Sequence, residues 1–257
     1  MKNELLTIGP VTLYGYGLMI AIGIMAAYLS AEYRAKKYKL NYELIFSLTL
    51  WCAGGGILGA KVLYYITQIN DIIDNPKVLL NVTEGFVVYG GIIGGIFAGF
   101  LFCRKEKLNF LQYFDLVMPS IALAQGFGRI GCFLSGCCYG VETSSPFGII
   151  FHDSLHAPNG VRLVPTQLLS SGLDFLNFFI LINLAKRVKK DGQVAGFYLI
   201  FYSAGRFVLE FFRGDLIRGS IGKLSTSQFI SVFLFIIGCG IVLGMELNAK
   251  RMKEKSV

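Results

Sequence analysis

Long apolar runs alternate with short charged patches along this chain. Seven apolar segments can be drawn, at about 11–31, 45–67, 86–103, 111–134, 167–185, 194–212 and 227–246. A helix that crosses the hydrocarbon core of a bilayer needs about 20 predominantly apolar residues. The pattern therefore predicts an all-α integral membrane protein of about seven transmembrane helices, a single polytopic membrane domain over residues 1–257. The fourth segment is the least hydrophobic. It holds Gln125, Gly126, Gly128 and Arg129, which suits a helix end that is broken or that borders a cavity.

The charges fall into an alternating order. The connections after segments one, three, five and seven carry Arg34, Lys36, Lys37 and Lys39; Arg104, Lys105 and Lys107; Lys186, Arg187, Lys189 and Lys190; and Lys250, Arg251, Lys253 and Lys255. The opposite side holds only Lys2, Lys77, Arg162, Arg213, Arg218 and Lys223. Basic clusters beside spans stay in the cytoplasm, so the amino terminus is expected outside and the carboxyl terminus in the cytoplasm. Met1 to Pro10 is nearly neutral and no small-residue cleavage site follows, so the first segment reads as a retained helix rather than a cleaved leader. The outer connections, about 68–85, 135–166 and 213–226, are the longer ones and contain both histidines. Functional residues concentrate on such loops, which places the expected chemistry at the outer face.

Composition agrees with a membrane protein. Of the 257 residues 54% are hydrophobic and 16% charged, where soluble domains carry about a quarter charged. The net charge of +8 does not point to nucleic acid. The basic residues sit beside apolar runs, where they anchor to anionic headgroups; membrane lipid is the expected partner.

Charges inside apolar segments are expensive and so mark candidate sites. Arg129, flanked by Gly128 and Gly131, offers a planar guanidinium suited to phosphate, with glycines that let a headgroup reach the backbone. Arg206 and Glu210 are four apart on one helical face and can pair, with Arg213 one turn later. Lys61 either adds positive potential or snorkels to the interface. Two glycine patches, Gly54–Gly59 and Gly90–Gly99, permit close helix packing or an unwound stretch that binds an anion. Tyr16 and Tyr89 sit at outer helix ends, where tyrosine is common; Tyr89, beside Gly90 and Gly91, is the better placed to bond a substrate. Cys132, Cys137 and Cys138 cluster near turns at Gly136 and Gly140. They read as small buried hydrophobes, as an outer-face disulfide or reactive thiol, or as metal ligands with His152 and His156. Their spacing matches no zinc pattern, and no metal site is expected.

These residues also carry a resemblance. Tyr16-Gly17-Leu18-Met19, Gly90-Gly91-Ile92-Ile93-Gly94, Gly128-Arg129-Ile130-Gly131 with Phe133 and Gly136, Pro165-Thr166-Gln167-Leu168, and Gly205-Arg206 with Glu210-Phe211-Phe212-Arg213 occur in that order. The chain resembles the bacterial prolipoprotein diacylglyceryl transferase family over most of its length. The resemblance implies transfer of a diacylglyceryl group from phosphatidylglycerol to the lipobox cysteine thiol of a preprolipoprotein, at the outer leaflet of the bacterial cytoplasmic membrane. No cofactor is implied, since the lipid contains its own leaving group. On this reading Arg129, Arg206, Tyr89 and Glu210 are catalytic, and Tyr16, Lys61, Gly90, Gly91, Gly128, Gly140 and Arg213 bind substrate. Four positions depart from the family pattern: Tyr89 and Val164 stand where His is frequent, Cys132 where Asn is, and Cys137 where Glu is. Tyr89, His152 or His156 are then the candidates for the base. The rival readings are a lipid transferase on the same scaffold with another acceptor, and a membrane lipid-binding or transport protein.

Overall fold

A computed structural model describes residues 4–8, 11–76, 79, 85–188, 190–215, 219–222 and 224–254. Lys2, Lys77, Lys189, Arg218, Lys223 and Lys255, which enter the charge pattern above, lie outside the described residues. In chain order, an antiparallel hairpin of β1 (Glu4–Ile8) and β2 (Val11–Tyr14) leads into α1 (Gly15–Lys37), α2 (Leu44–Thr67), the short α3 (Ile69–Asp74), α4 (Val88–Lys105) and α5 (Phe110–Ser135). A small pair, β3 (Ile149–Ile150) and β4 (Arg162–Leu163), precedes α6 (Thr166–Ala185) and α7 (Gln193–Glu210). A last hairpin, β5 (Ser220–Ile221) and β6 (Leu224–Ser225), opens onto α8 (Thr226–Glu254).

All seven expected segments are helical. Six are long and apolar enough to cross a membrane: α1, α2, α4, α5, α6 and residues 226–245 of α8. The seventh, α7, falls outside that set, because Gln193, Arg206 and Glu210 dilute its 18 residues. The first segment also starts later than its hydrophobicity suggested. Val11 and Thr12 are β-branched and pair with Ile8 and Thr7, so helix begins only at Gly15.

The chain forms two compact units, residues 31–113 and residues 1–30 with 114–257. In the first, α2 packs on α4 through the glycine patches. A Cβ at Gly59 would lie 2.9 Å from the Gly94 Cα and collide with the Gly90 carbonyl. Both patches lie in unbroken helix. Of the two readings the sequence allowed, close packing is the one found, and an unwound anion-binding stretch is not. The Val87 N–H donates to the Ala60 carbonyl at 3.1 Å and ties the start of α4 to α2.

In the second unit a core of Met118, Ala122, Leu181, Val194, Ala195 and Tyr198 joins α5, α6 and α7. Asp115 caps α7 from a distance. Its two oxygens accept from the Gly192 and Ala195 N–H groups at 2.6 and 2.8 Å, satisfying donors that a helix start leaves open. Gly192 stands there at φ +96°, a region open to glycine at little cost. Helix α8 begins with a reciprocal cap. The Ser225 hydroxyl accepts from the Gln228 N–H and the Gln228 amide oxygen from the Ser225 N–H, both at 3.1 Å. This Ser-x-x-Gln box fixes where α8 starts, and so where Ser227 stands.

Candidate active site

The polar residues of the second unit converge where the end of α5 meets the start of α6, the end of α7 and the start of α8. On α7 the residues Tyr198, Tyr202, Arg206 and Glu210 recur every four positions and share one face. The rings of Tyr198 and Tyr202 stack with centroids 5.7 Å apart, and the Tyr198 hydroxyl donates to the Gln125 amide oxygen at 2.9 Å. One turn on, Arg206 Nη2 pairs with Glu210 Oε2 at 2.6 Å and donates to the Ser227 hydroxyl at 2.9 Å. Both side chains of the pair are about nine-tenths buried. The expected Arg206–Glu210 pair is therefore present, and α8 supplies a third member that the sequence reading did not name.

Arg129 lies on α5, half-buried, with Tyr202, Cys132, Asp174 and Cys138 as its electrostatic neighbours. Arg129 and Arg206 each lie in the other's field. Among the described residues Arg129 makes no ion pair within 4.0 Å. A Cβ at Gly128 would meet nothing within 4 Å, so the surface beside Arg129 is open. Gly131 is different: a Cβ there would crowd Met19 and the Tyr16 ring, both at 3.2 Å. This glycine brings Tyr16 of α1 against the arginine-bearing turn of α5.

Asp174 was missed by sequence reasoning. It is buried on α6, its Oδ2 has no hydrogen-bond partner among the described residues, and its charge is felt by both Arg129 and Arg206. The signal was present, since a lone carboxylate sits in the fifth apolar segment. Gln167, Ser171, Asp174 and Asn177 form a buried polar stripe at helical spacing. Ser171 uses its hydroxyl to bond the Gly126 carbonyl at 2.9 Å, which orders the backbone just before Arg129.

The loop after α5 is a tight turn clamped on both sides. Gly136 has φ +74°, and a side chain there would run into Ser154. Gln167 and Thr166 donate to the Cys137 and Cys138 carbonyls at 2.8 and 2.9 Å. Gly140 sits between Val164 and Phe212, with the Phe212 carbonyl 2.8 Å from where a Cβ would stand, and pairs in the β-sense with Arg213. Arg213 is engaged: its guanidinium grips Asp215 in two bonds of 2.8 and 2.7 Å and bonds the Cys138 sulfur. The Cys137 thiol donates to the Cys132 carbonyl at 3.7 Å, and its sulfur accepts from the Ser135 hydroxyl at 3.2 Å. His152 and His156 are both exposed on the 141–164 loop.

Tyr89, Gly90, Gly91 and Lys61 belong to the unit of residues 31–113. Tyr89 is about half exposed in the first turn of α4, and Gly90 is buried. The Lys61 ammonium lies 5.0–5.2 Å from the ring centroids of Tyr64, Tyr65 and Phe86, a cation–π arrangement.

Beside Arg206, a crevice of about 320 Å³ opens between α7 and α8, lined by Ser203, Phe207, Val208, Val232, Phe235 and Ile236 among others. It is almost wholly apolar and suits hydrocarbon.

The helices and this buried ladder of arginines and carboxylates define a polytopic membrane protein with a charged site set among spanning helices. More narrowly, the chain belongs to the prolipoprotein diacylglyceryl transferase family, whose sequence model matches residues 3–244. It is 49% identical over 238 residues to a phosphatidylglycerol–prolipoprotein diacylglyceryl transferase of Clostridium tetani, covering 93% of this chain and 95% of the relative. It is 47% identical over 227 residues, 88% of each chain, to phosphatidylglycerol–prolipoprotein diacylglyceryl transferase 2 of Clostridium perfringens. A third relative, from Staphylococcus aureus strain MW2, is 32% identical over 246 residues, 92% of this chain and 86% of its own.

Proposed function

We propose that this chain transfers the diacylglyceryl group of phosphatidylglycerol to the lipobox cysteine thiol of preprolipoproteins, the first step of lipoprotein maturation. It is a multi-pass protein of the bacterial membrane, and on the charge pattern its site opens to the outer leaflet. The observation that carries the reading is Arg129, a guanidinium with no ion pair of its own among the described residues, beside the open face of Gly128.

A phosphodiester headgroup supplies the missing anion. Arg129 binds its oxygens, and Arg206, held by Glu210 and Ser227, presents a second positive group to the same phosphate. As the carbon–oxygen bond breaks, negative charge builds on the departing glycerol phosphate. Fixed positive groups in a water-poor site stabilise that charge best. The acyl chains lie along the apolar crevice between α7 and α8. Tyr16 lines the site, and Gly140 and Arg213 shape the turn that closes it. Tyr89 keeps the catalytic role that the resemblance implies, tested by its replacement with Phe, and Gly90, Gly91 and Lys61 keep their substrate-binding roles. Asp174 tempers the positive field of both arginines.

The test is complementation of a bacterial strain depleted of its own transferase, scored by the mobility shift of lipoproteins. The intact chain restores the shift, and the Arg129→Gln variant, present in the membrane at equal level, does not. A membrane-inserted intact chain that leaves lipoproteins unmodified sinks the assignment.

A further inference from the structure

The three sulfurs of Cys132, Cys137 and Cys138 all lie within 4.8 Å of one another, and none of the three is in a disulfide. We propose that they form a three-thiolate zinc site whose fourth position takes the acceptor thiol of the transfer reaction, an inference that rests on the function proposed above. The spacing of the three cysteines along the chain matches no zinc pattern; the fold is what brings their sulfurs together.

Zinc–sulfur bonds of about 2.3 Å in a tetrahedron put sulfurs about 3.8 Å apart, so the cluster closes on a metal by a movement of about 1 Å or less. The turn is built to present these sulfurs. Gly136 and Cys138 both have positive φ, +74° and +62°. In a non-glycine residue this conformation persists only where the surroundings impose it. Here Gln167 and Thr166 hold the carbonyls of Cys137 and Cys138. The Ser135 hydroxyl donates to the Cys137 sulfur at 3.2 Å, and Arg213 donates to that of Cys138. Such outer donors orient and tune metal-bound thiolates.

Thiolate ligands select soft ions such as zinc and copper(I). Charge decides between them. Three thiolates with zinc(II) leave one net negative charge, and with copper(I) two; Arg213 is already paired with Asp215, so the single positive charge of Arg129 beside the cluster matches the smaller excess. The ligand count then gives the role. Among the described residues no fourth Cys, His, Asp or Glu joins the group, and His152 and His156 are exposed elsewhere on the loop. Three protein ligands with one position open is the arrangement of catalytic rather than structural zinc. A thiol that binds such a metal is deprotonated outright. The acceptor sulfur then forms a bond to the glyceryl methylene carbon as the carbon–oxygen bond to phosphate breaks. The bonding pair leaves with glycerol phosphate, which takes up the thiol proton through water; nothing is oxidised or reduced. Cys132 stands one helical turn beyond Arg129, which binds the leaving phosphate in this scheme.

The experiment uses the full chain purified in detergent. Zinc content is measured after loading with zinc chloride and gel filtration. A cobalt(II)-loaded sample is followed by absorption spectroscopy as a lipobox peptide is added. The proposal expects about one zinc per chain, at least a tenfold loss of affinity in each of Cys132→Ser, Cys137→Ser and Cys138→Ser, and no loss in Cys239→Ser. It expects thiolate-to-cobalt bands that shift with the cysteine peptide and not with its serine analogue. Thermal melting of each variant separates misfolding from ligand loss, and the cobalt spectrum of the unaltered chain needs no variant. Zinc below a tenth of an equivalent, preferential copper(I) binding, or a disulfide between two of the three cysteines by mass overturns the site. Zinc bound with no peptide-dependent shift, or full transfer by metal-free protein, overturns the role at the fourth position while leaving the transferase function standing. Failure of transfer by a zinc-loaded chain that passes the spectroscopic test strikes at the function instead.

Discussion

Replacing Glu210 with Gln isolates the pair that holds Arg206. The charges meet at 2.6 Å, with both side chains about nine-tenths buried. At that distance and an effective dielectric constant near 20, their attraction is about 6 kcal/mol. Desolvating both groups offsets much of it, and removing one partner of a buried pair typically costs about 3–5 kcal/mol. Glutamine keeps the shape and one hydrogen-bond acceptor, so the Glu210→Gln variant should lose about 2–3 kcal/mol, and so should Arg206→Gln. The double variant leaves no unpaired charge and should lose less than the two single losses combined, by about 1–3 kcal/mol. Thermal unfolding in detergent measures stability, and thioether formation on a lipobox peptide measures kcat/KM. Since Glu210 acts through Arg206, kcat/KM should fall about 10- to 100-fold in Glu210→Gln and fall little further when that change is added to Arg206→Gln. Losses that add to within about 0.5 kcal/mol in both measurements would refute the idea that the two act as a unit.

Asp174→Asn removes the buried carboxyl group that interacts electrostatically with both Arg129 and Arg206, so KM for phosphatidylglycerol should fall about threefold or more, with the difference persisting at raised ionic strength because buried charges are screened little; an unchanged KM would place Asp174 outside the donor site. Gly59→Ala should destabilise the protein by about 1–3 kcal/mol through overpacking, because its Cβ meets α4 backbone, while Gly54→Ala, which meets nothing within 4 Å, should be neutral or slightly stabilising; thermal melts of the two make the comparison. Asp115→Ala strips two bonds from the start of α7 and should cost about 1–2 kcal/mol, in line with the loss of a helix cap.

Much of the fold was legible because lipid makes a simple demand: long apolar runs become helices, and all seven runs did. The edges were less legible where another element competed, as at Val11–Tyr14, which the hydropathy pattern assigned to helix and strand pairing claimed. The i, i+4 spacing of Arg206 and Glu210 sufficed to foresee their bond, since helix geometry alone puts them in reach. Ser227 was invisible, because its reach to Arg206 depends on how α8 is capped and packed. Asp174 was visible as a charge in an apolar run, but only the fold shows that its face of α6 is buried and polar. The thiol cluster needed the turn at Gly136–Cys138, where two left-handed residues bring together sulfurs that linear spacing leaves ambiguous.

The central claim is that Arg129 stabilises the phosphate of a lipid donor while its glyceryl carbon passes to a cysteine. The most direct measurement reconstitutes the purified chain in vesicles containing phosphatidylglycerol with a lipobox peptide, and follows thioether product and released glycerol phosphate together. The account predicts one glycerol phosphate per thioether, and a fall in kcat of about 100- to 1,000-fold, the usual effect of losing one stabilising donor, in a folded Arg129→Gln variant. Undiminished transfer by that variant, or product formed without glycerol phosphate, would contradict it.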